Sequence, residues 1–152
     1  VQIIKRHVPR SAVTTDIMVG FPGESDTEFE QSYEFCRQMQ FAALHVFMYS
    51  ARPGTRAAEM PAQVADKVKK ERSLRMLSLA RDSAAIFRQR FIGGRAGVLF
   101  EHEERSGSGL YSGLTQNYIR VYCRGQGPLC NQIRAVSLVK GYRHGLWGEI
   151  LP

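Results

Sequence analysis

At 152 residues, 43% hydrophobic and 23% charged, the chain has the composition of a globular protein with one domain or two small ones. No apolar run approaches the roughly 20 residues of a membrane helix, no signal-peptide pattern is present, and three cysteines are too few for a disulfide scaffold, so a reducing, cytoplasmic setting without a membrane partner is expected. The net charge of +7 is uneven: Lys and Arg against Asp and Glu stand at six to seven in residues 1–60, eight to three in 61–93 and seven to four in 94–152. The positive second half suits a phosphate backbone, although a solvated basic helix explains it equally well.

The chain opens VQIIKRHVPR, on Val rather than Met, and reads as a fragment or a processed chain. Pro9 limits any helix there. Val13 to Val19 is mostly apolar and predicts a buried strand ended by Gly20. Ser25 followed by Glu28 is a capping box, and Asp26, Glu28 and Glu30 complement the positive end of a helix that should run to about Gln40. Ala43 to Tyr49 is a second continuous apolar strand, so strand, helix and strand predict one crossover of a parallel sheet. After Pro61 a long helix is expected from about Gln63 to Phe91, with Leu74, Leu77, Ala80, Ala84, Phe87 and Phe91 as its apolar stripe.

Gly93 and Gly94 end that helix and mark a boundary between residues 1–93 and 94–152. Beyond it come short alternating segments: RAGVLFEHE, GLYSG, QNYIRVYC, NQIRAVSLV and GLWGEIL. They predict an all-β module of about five strands, most economically a small antiparallel barrel of the oligonucleotide-binding type. There Tyr111, Tyr118, Tyr122 and Trp147 interleave with Arg95, Arg120, Arg124 and Arg134. Alternation along NYIRVY assigns Ile119 and Val121 to the core and leaves Tyr118, Arg120 and Tyr122 facing outward. Aromatics beside cations describe a single-stranded RNA surface, and barrel core plus ordinary surface charge is the plain alternative.

The loop GFPGES, Gly20 to Ser25, lies at the carboxyl end of the first strand, where barrels of such units carry their chemistry. It matches neither G-x-x-x-x-G-K-[ST] nor G-x-G-x-x-G, so it reads as a tight turn that also lines a pocket. The cysteine spacings match neither zinc nor iron–sulfur patterns, the four histidines make no ligand pair on one helix face, and no metal ligand or catalytic residue is assigned. His45 lies within a strand, either pointing into a barrel or held as a core histidine. Cys123 and Cys130 are read as free thiols rather than a pair across a hairpin.

Four segments in this order resemble the carboxyl-terminal part of the radical S-adenosylmethionine methylthiotransferases: DIMVGFPGESDTEFE (Asp16 to Glu30), LHVFMYSARPGTRAAEM (Leu44 to Met60), QVADKVKKERSLRMLSLA (Gln63 to Ala80) and GLTQNYIRV (Gly113 to Val121). The likeness covers nearly all of residues 13–152 and is most like the threonylcarbamoyladenosine tRNA branch. It implies an α/β plus all-β chain. Residues 1–93 would be the last portion of a partial TIM-like parallel barrel, and residues 94–152 a TRAM domain, a small RNA-binding β-barrel. It also implies a reaction on tRNA. One 4Fe-4S cluster reductively cleaves S-adenosylmethionine, a hydrogen is taken from an adenine carbon beside the anticodon, and a methylthio group associated with a second 4Fe-4S cluster is installed, with electrons from a separate donor.

Two departures limit what the chain can do. The family's C-x3-C-x2-C motif and its amino-terminal cluster domain are absent, so the chain alone is expected to be inactive. Met48 and Ala51 also replace prolines common in the family. By barrel logic Gly20, Phe21, Pro22, Tyr49 and Ser50 line the adenosyl or substrate pocket. Arg52 is a candidate for an anionic group, with an ion pair to Glu59 as the structural alternative. A truncated barrel should expose an unpaired strand edge beside apolar surface. A non-catalytic RNA-binding protein, or a branch acting on another tRNA adenosine or on a ribosomal protein, are the competing readings.

Overall fold

A computed structural model describes residues 1–152 as two compact units, one of residues 1–9 and 13–84 and the other of residues 10–12 and 85–152. The elements in order are α1 (Gln2–His7), β1 (Thr14–Val19), α2 (Asp26–Met39), β2 (Ala43–Met48), α3 (Arg56–Glu59), α4 (Asp66–Gln89), β3 (Arg95–Glu103), β4 (Leu110–Thr115), β5 (Arg120–Arg124), β6 (Ile133–Tyr142) and β7 (Gly145–Ile150). No helix is long and apolar enough to cross a membrane.

In the first unit β1 and β2 pair in parallel from Thr14↔Ala43 to Val19↔Met48. They make a two-stranded sheet, joined through α2 as the crossover pattern predicts. The capping box forms as read: Glu28 N–H donates to Ser25 Oγ at 3.2 Å, and Ser25 N–H donates to the Glu28 carboxylate at 2.8 Å. At the other end of α2, Gln40 adopts a left-handed φ of 46°, and Lys5 Nζ donates to the carbonyls of Met39 and Gln40 at 2.6 and 2.9 Å. A cation on the last carbonyls of a helix also complements its dipole.

One face of the sheet packs Val19 and Leu44 against Phe29 and Cys36 of α2 and Met76 and Leu79 of α4. The other face is open. Met18 and Phe47 are about half exposed on it, and each strand keeps an unpaired edge. His45 lies on this exposed face, so it is not a core histidine.

The α4 stripe differs from the predicted one. The helix buries Arg72, Ser73, Met76, Leu79, Ser83 and Phe87, while Leu74 is 67% exposed and Leu77 also faces out. The stripe counted only apolar residues. Arg72 turns inward to Glu24 on the β1–α2 loop and to Asp26 at the start of α2, and a buried guanidinium that must keep its carboxylate partners restricts which side of the helix faces in.

In the second unit β3–β4–β5–β7–β6 close into a barrel around Val98, Phe100, Val121, Val136, Leu138 and Leu146. The five expected strands are all present. The barrel is not wholly antiparallel, because β5 and β7 pair in parallel. Strand directions cannot alternate all the way round a closed ring with an odd number of strands. Gly113 and Gly145 permit the close strand crossings, since a Cβ at either would lie 2.2 Å from a neighbouring backbone carbonyl oxygen.

All three cysteines are free. Burial pushes the Cys123 thiol up to about 12 and raises that of Cys36, whereas Cys130 is exposed. Thiolate is the reactive form. At pH 8, iodoacetamide is therefore expected to modify one cysteine quickly, Cys130, and the other two only on unfolding; mass spectrometry of tryptic peptides reads this directly.

Candidate functional site

Because β1 and β2 are parallel, their carboxyl ends emerge on one edge, and the turns that follow them meet there. Gly20 has φ +74° and donates its N–H to Glu24 Oε2 at 2.6 Å. Phe21 and Tyr49 are brought together edge to face, with ring centroids 5.3 Å apart. Pro22 is buried beneath the turn, so it braces the loop rather than offering a contact surface. Ser50 and Arg52 are exposed, and Arg52 makes no ion pair with Glu59.

A cavity of about 430 Å³ opens at this edge. Tyr49 and Ser50 line it together with Met48, Ala51, Asp66, Lys69 and Lys70. Gly20, Phe21 and Pro22 do not. The Lys69 stem lies across Gly20, where an added Cβ would come within 2.2 Å of Lys69 Cγ. The Lys69 ammonium reaches Asp66 Oδ1 at 2.8 Å and the Tyr49 carbonyl at 3.5 Å. That hydrogen bond also holds the Asp66 carboxyl below its usual range. Gly20→Ala is expected to cost about 2 kcal/mol through left-handed strain and overpacking, with part recovered in Gly20→Ala/Lys69→Ala, as read by thermal unfolding of the two variants.

Beneath the turn, Arg72 ties the loop to α4. It donates to Glu24 Oε2 at 2.6 Å, to the Glu24 carbonyl at 3.0 Å and to Asp26 Oδ1 at 2.7 Å. Sequence reasoning missed Glu24, Arg72, Asp66 and Lys69 as parts of this site. The available signal was spacing: Asp66, Lys69 and Arg72 recur at three-residue intervals on one helix face, directly after a loop of the βα type.

On the small barrel, Tyr118 is 81% exposed and holds a left-handed φ of 61°. The turn is built around it. Tyr118 N–H donates to the Thr115 carbonyl at 2.9 Å, Ile119 N–H donates to Thr115 Oγ1 at 3.0 Å, and Asn117 Nδ2 donates to the Arg10 carbonyl at 3.2 Å. An aromatic residue at positive φ is a backbone outlier of the kind that gathers at functional sites. Arg120 is half-buried and shared between Glu101 and Ser112, and Arg95 is exposed at the start of β3 without an ion pair.

Tyr122 does not face solvent as expected; it is 1% exposed. Its hydroxyl meets His144 Nε2 at 2.9 Å, its ring packs edge to face on Tyr142 at 5.2 Å, and Arg143 lies over both rings. Alternation marked the correct side of β5, but residues of the β6–β7 turn cover that side. This is a contact between distant segments, which strand periodicity does not register. Tyr111 is likewise buried, its hydroxyl donating to the Gly127 carbonyl at 2.9 Å.

No group of His, Cys, Asp and Glu side chains is gathered to hold a metal ion, and two of the three cysteines are buried in separate cores, so the residues of this chain do not fit an iron–sulfur cluster. The strand-end cavity does fit part of a polar ligand. It has charged groups of both signs, and the buried Tyr49 hydroxyl has no hydrogen-bond partner.

A parallel β–α–β unit with a pocket at its strand ends and, as a separate unit, a closed five-stranded barrel make up the class of protein that this geometry defines. Over nearly its whole length the chain is a homologue of the tRNA methylthiotransferases. It is 38% identical over 138 residues to the tRNA-2-methylthio-N(6)-dimethylallyladenosine synthase of Pelotomaculum thermopropionicum, covering 91% of this chain and 31% of that protein. It is 34% identical over 151 residues to the synthase of the same name from Caldicellulosiruptor saccharolyticus, covering 99% of this chain and 32% of the relative. It is 36% identical over 142 residues to the threonylcarbamoyladenosine tRNA methylthiotransferase MtaB of Bacillus subtilis, covering 91% and 32%. The chain thus spans about a third of the length of the curated relatives it matches. No family model matches it.

Proposed function

We propose that the chain is the carboxyl-terminal part of a cytoplasmic tRNA methylthiotransferase that acts on threonylcarbamoyladenosine beside the anticodon. Residues 1–93 are read as the end of a partial TIM-like barrel and residues 94–152 as a TRAM-type RNA-binding barrel. S-adenosylmethionine and two 4Fe-4S clusters, with an outside electron donor, supply the radical and sulfur chemistry of the whole enzyme; their iron ligands are not residues of this chain. What this chain contributes is placement. Tyr49 and Ser50 line the strand-end pocket, with Gly20, Phe21 and Pro22 forming and bracing its neighbouring turn. Arg52 and Arg95 offer cations to phosphate, and Tyr118 offers a ring to an unpaired base.

Tyr118 carries the RNA part of the reading. A ring exposed at 81% and locked at positive φ by three hydrogen bonds has no packing role in the barrel. A second reading, methylthiolation of a dimethylallyladenosine, is supported by the 38% identity to the Pelotomaculum synthase. Chimeras separate them: the matching third of the Bacillus or the Pelotomaculum relative is replaced by this chain, and tRNA nucleosides are read by mass spectrometry. The threonylcarbamoyl product is expected from the Bacillus chimera. A product from the Pelotomaculum chimera alone supports the second reading, and folded chimeras that bind tRNA but make no methylthiolated nucleoside contradict both.

A further inference from the structure

The strand-end cavity is charged. Its lining carries two ammonium groups, Lys69 and Lys70, against one carboxylate, Asp66. Lys69 is held in place. Its side chain is only 15% exposed, its stem is laid over Gly20, and it stands on the first turn of the long helix α4, whose amino end favours anions. Its single carboxylate partner is weakly committed, because the Asp66 side chain is 87% exposed and an exposed ion pair contributes little. Lys70 has no carboxylate partner. A carboxylate oxygen thus already sits at 2.8 Å from the ammonium, on a side chain free to swing into water. An incoming carboxylate can take that place, whereas a hydrocarbon group would strip water from the lysines and give nothing back.

We propose that this cavity takes the carboxylate of the N6 substituent of a modified adenosine, with Lys69 as the residue that selects it. The inference rests on the reading above and deepens it. A threonylcarbamoyl group ends in a carboxylate and a hydroxyl, and a dimethylallyl group is a hydrocarbon, so one charge separates the two candidate substrates. Charged partners discriminate here because a hydrocarbon substituent takes water from the lysines and supplies no new partner, leaving Lys69 only the Asp66 carboxylate and Tyr49 carbonyl it already has.

The test uses the full 152-residue chain and two nucleosides, N6-threonylcarbamoyladenosine and N6-dimethylallyladenosine, titrated while the Lys69 ε-methylene signal is followed by NMR. The threonylcarbamoyl nucleoside is expected to shift that signal and to bind more tightly than the other. Lys69→Met keeps the stem over Gly20 and removes the charge. It should weaken the threonylcarbamoyl nucleoside by about tenfold or more, as loss of a charged hydrogen bond does, and leave the dimethylallyl nucleoside unchanged. Equal binding of the two nucleosides, an unchanged affinity in Lys69→Met, or no binding of either at millimolar concentration overturns the proposal. Binding of tRNA through the barrel is measured on the same variant. If that is retained while selection fails, the specificity proposal falls and the broader function stands; if tRNA binding is absent in both proteins, the broader reading falls.

Discussion

Glu24→Ala is expected to destabilise the first unit by about 3–5 kcal/mol, the scale seen when one partner of a buried ion pair is removed. Arg72 and Glu24 have side chains only 7% and 14% exposed, and their contact is 2.6 Å. Glu24 also accepts the Gly20 N–H at 2.6 Å, so its loss frees both the helix and the turn. The Arg72 guanidinium would stay buried with its Nε already lacking a partner, left with the Glu24 backbone carbonyl, the exposed Asp26 carboxylate and the face of Phe29. Asp26→Ala is the control. Its carboxylate is on the same guanidinium, but its side chain is 93% exposed, and an exposed pair contributes no more than about 1 kcal/mol. Chemical denaturation followed by circular dichroism gives the totals, and hydrogen exchange at the β1 and α2 amides assigns the loss to this unit. Equal small effects for Glu24→Ala and Asp26→Ala would show that the buried pair does not hold the loop.

Tyr118→Gly is expected to separate binding from stability. Removing a stacking ring costs about 1–3 kcal/mol of single-strand affinity per base, a loss of roughly 5- to 150-fold. The same change relieves a side chain held at φ 61°, so the barrel should unfold at the same temperature or a higher one. Tyr122→Ala should do the reverse. A fully buried aromatic leaves a cavity costing about 3–5 kcal/mol, and any loss of RNA affinity should follow the loss of folded protein. Tyr118 and Tyr122 were indistinguishable by alternation, and the two measurements assign them opposite roles.

The contrast shows what was legible in the sequence. Local signals were sound: the capping box at Ser25 and Glu28, the two parallel strands, and the five strands of the barrel all follow from patterns within a few residues. Errors arose where a distant segment decides. Tyr122 is buried because the β6–β7 turn covers it, and α4 is rotated because Arg72 finds carboxylates 46 and 48 residues away, at the start of α2 and on the loop before it. The site was half legible for the same reason. Tyr49 and Ser50 were found from their place after a strand, but the charged half of the pocket comes from a helix whose lysines looked like ordinary surface residues. The homology explains why the GFPGES loop is shaped as it is only when joined to this geometry. It is the turn that Glu24 and Arg72 brace and that Lys69 crosses.

The most direct measurement is the affinity of the 152-residue chain for tRNA as salt is raised. Specific contact with the phosphate backbone predicts binding whose logarithm falls linearly with the logarithm of salt concentration, with a slope reflecting several released counterions. Tyr118→Gly should lower that line without changing its slope, because a stacking ring releases no ions. Absence of tRNA binding at low salt, or an affinity indifferent to both salt and Tyr118, would contradict the proposed role of this chain in holding tRNA.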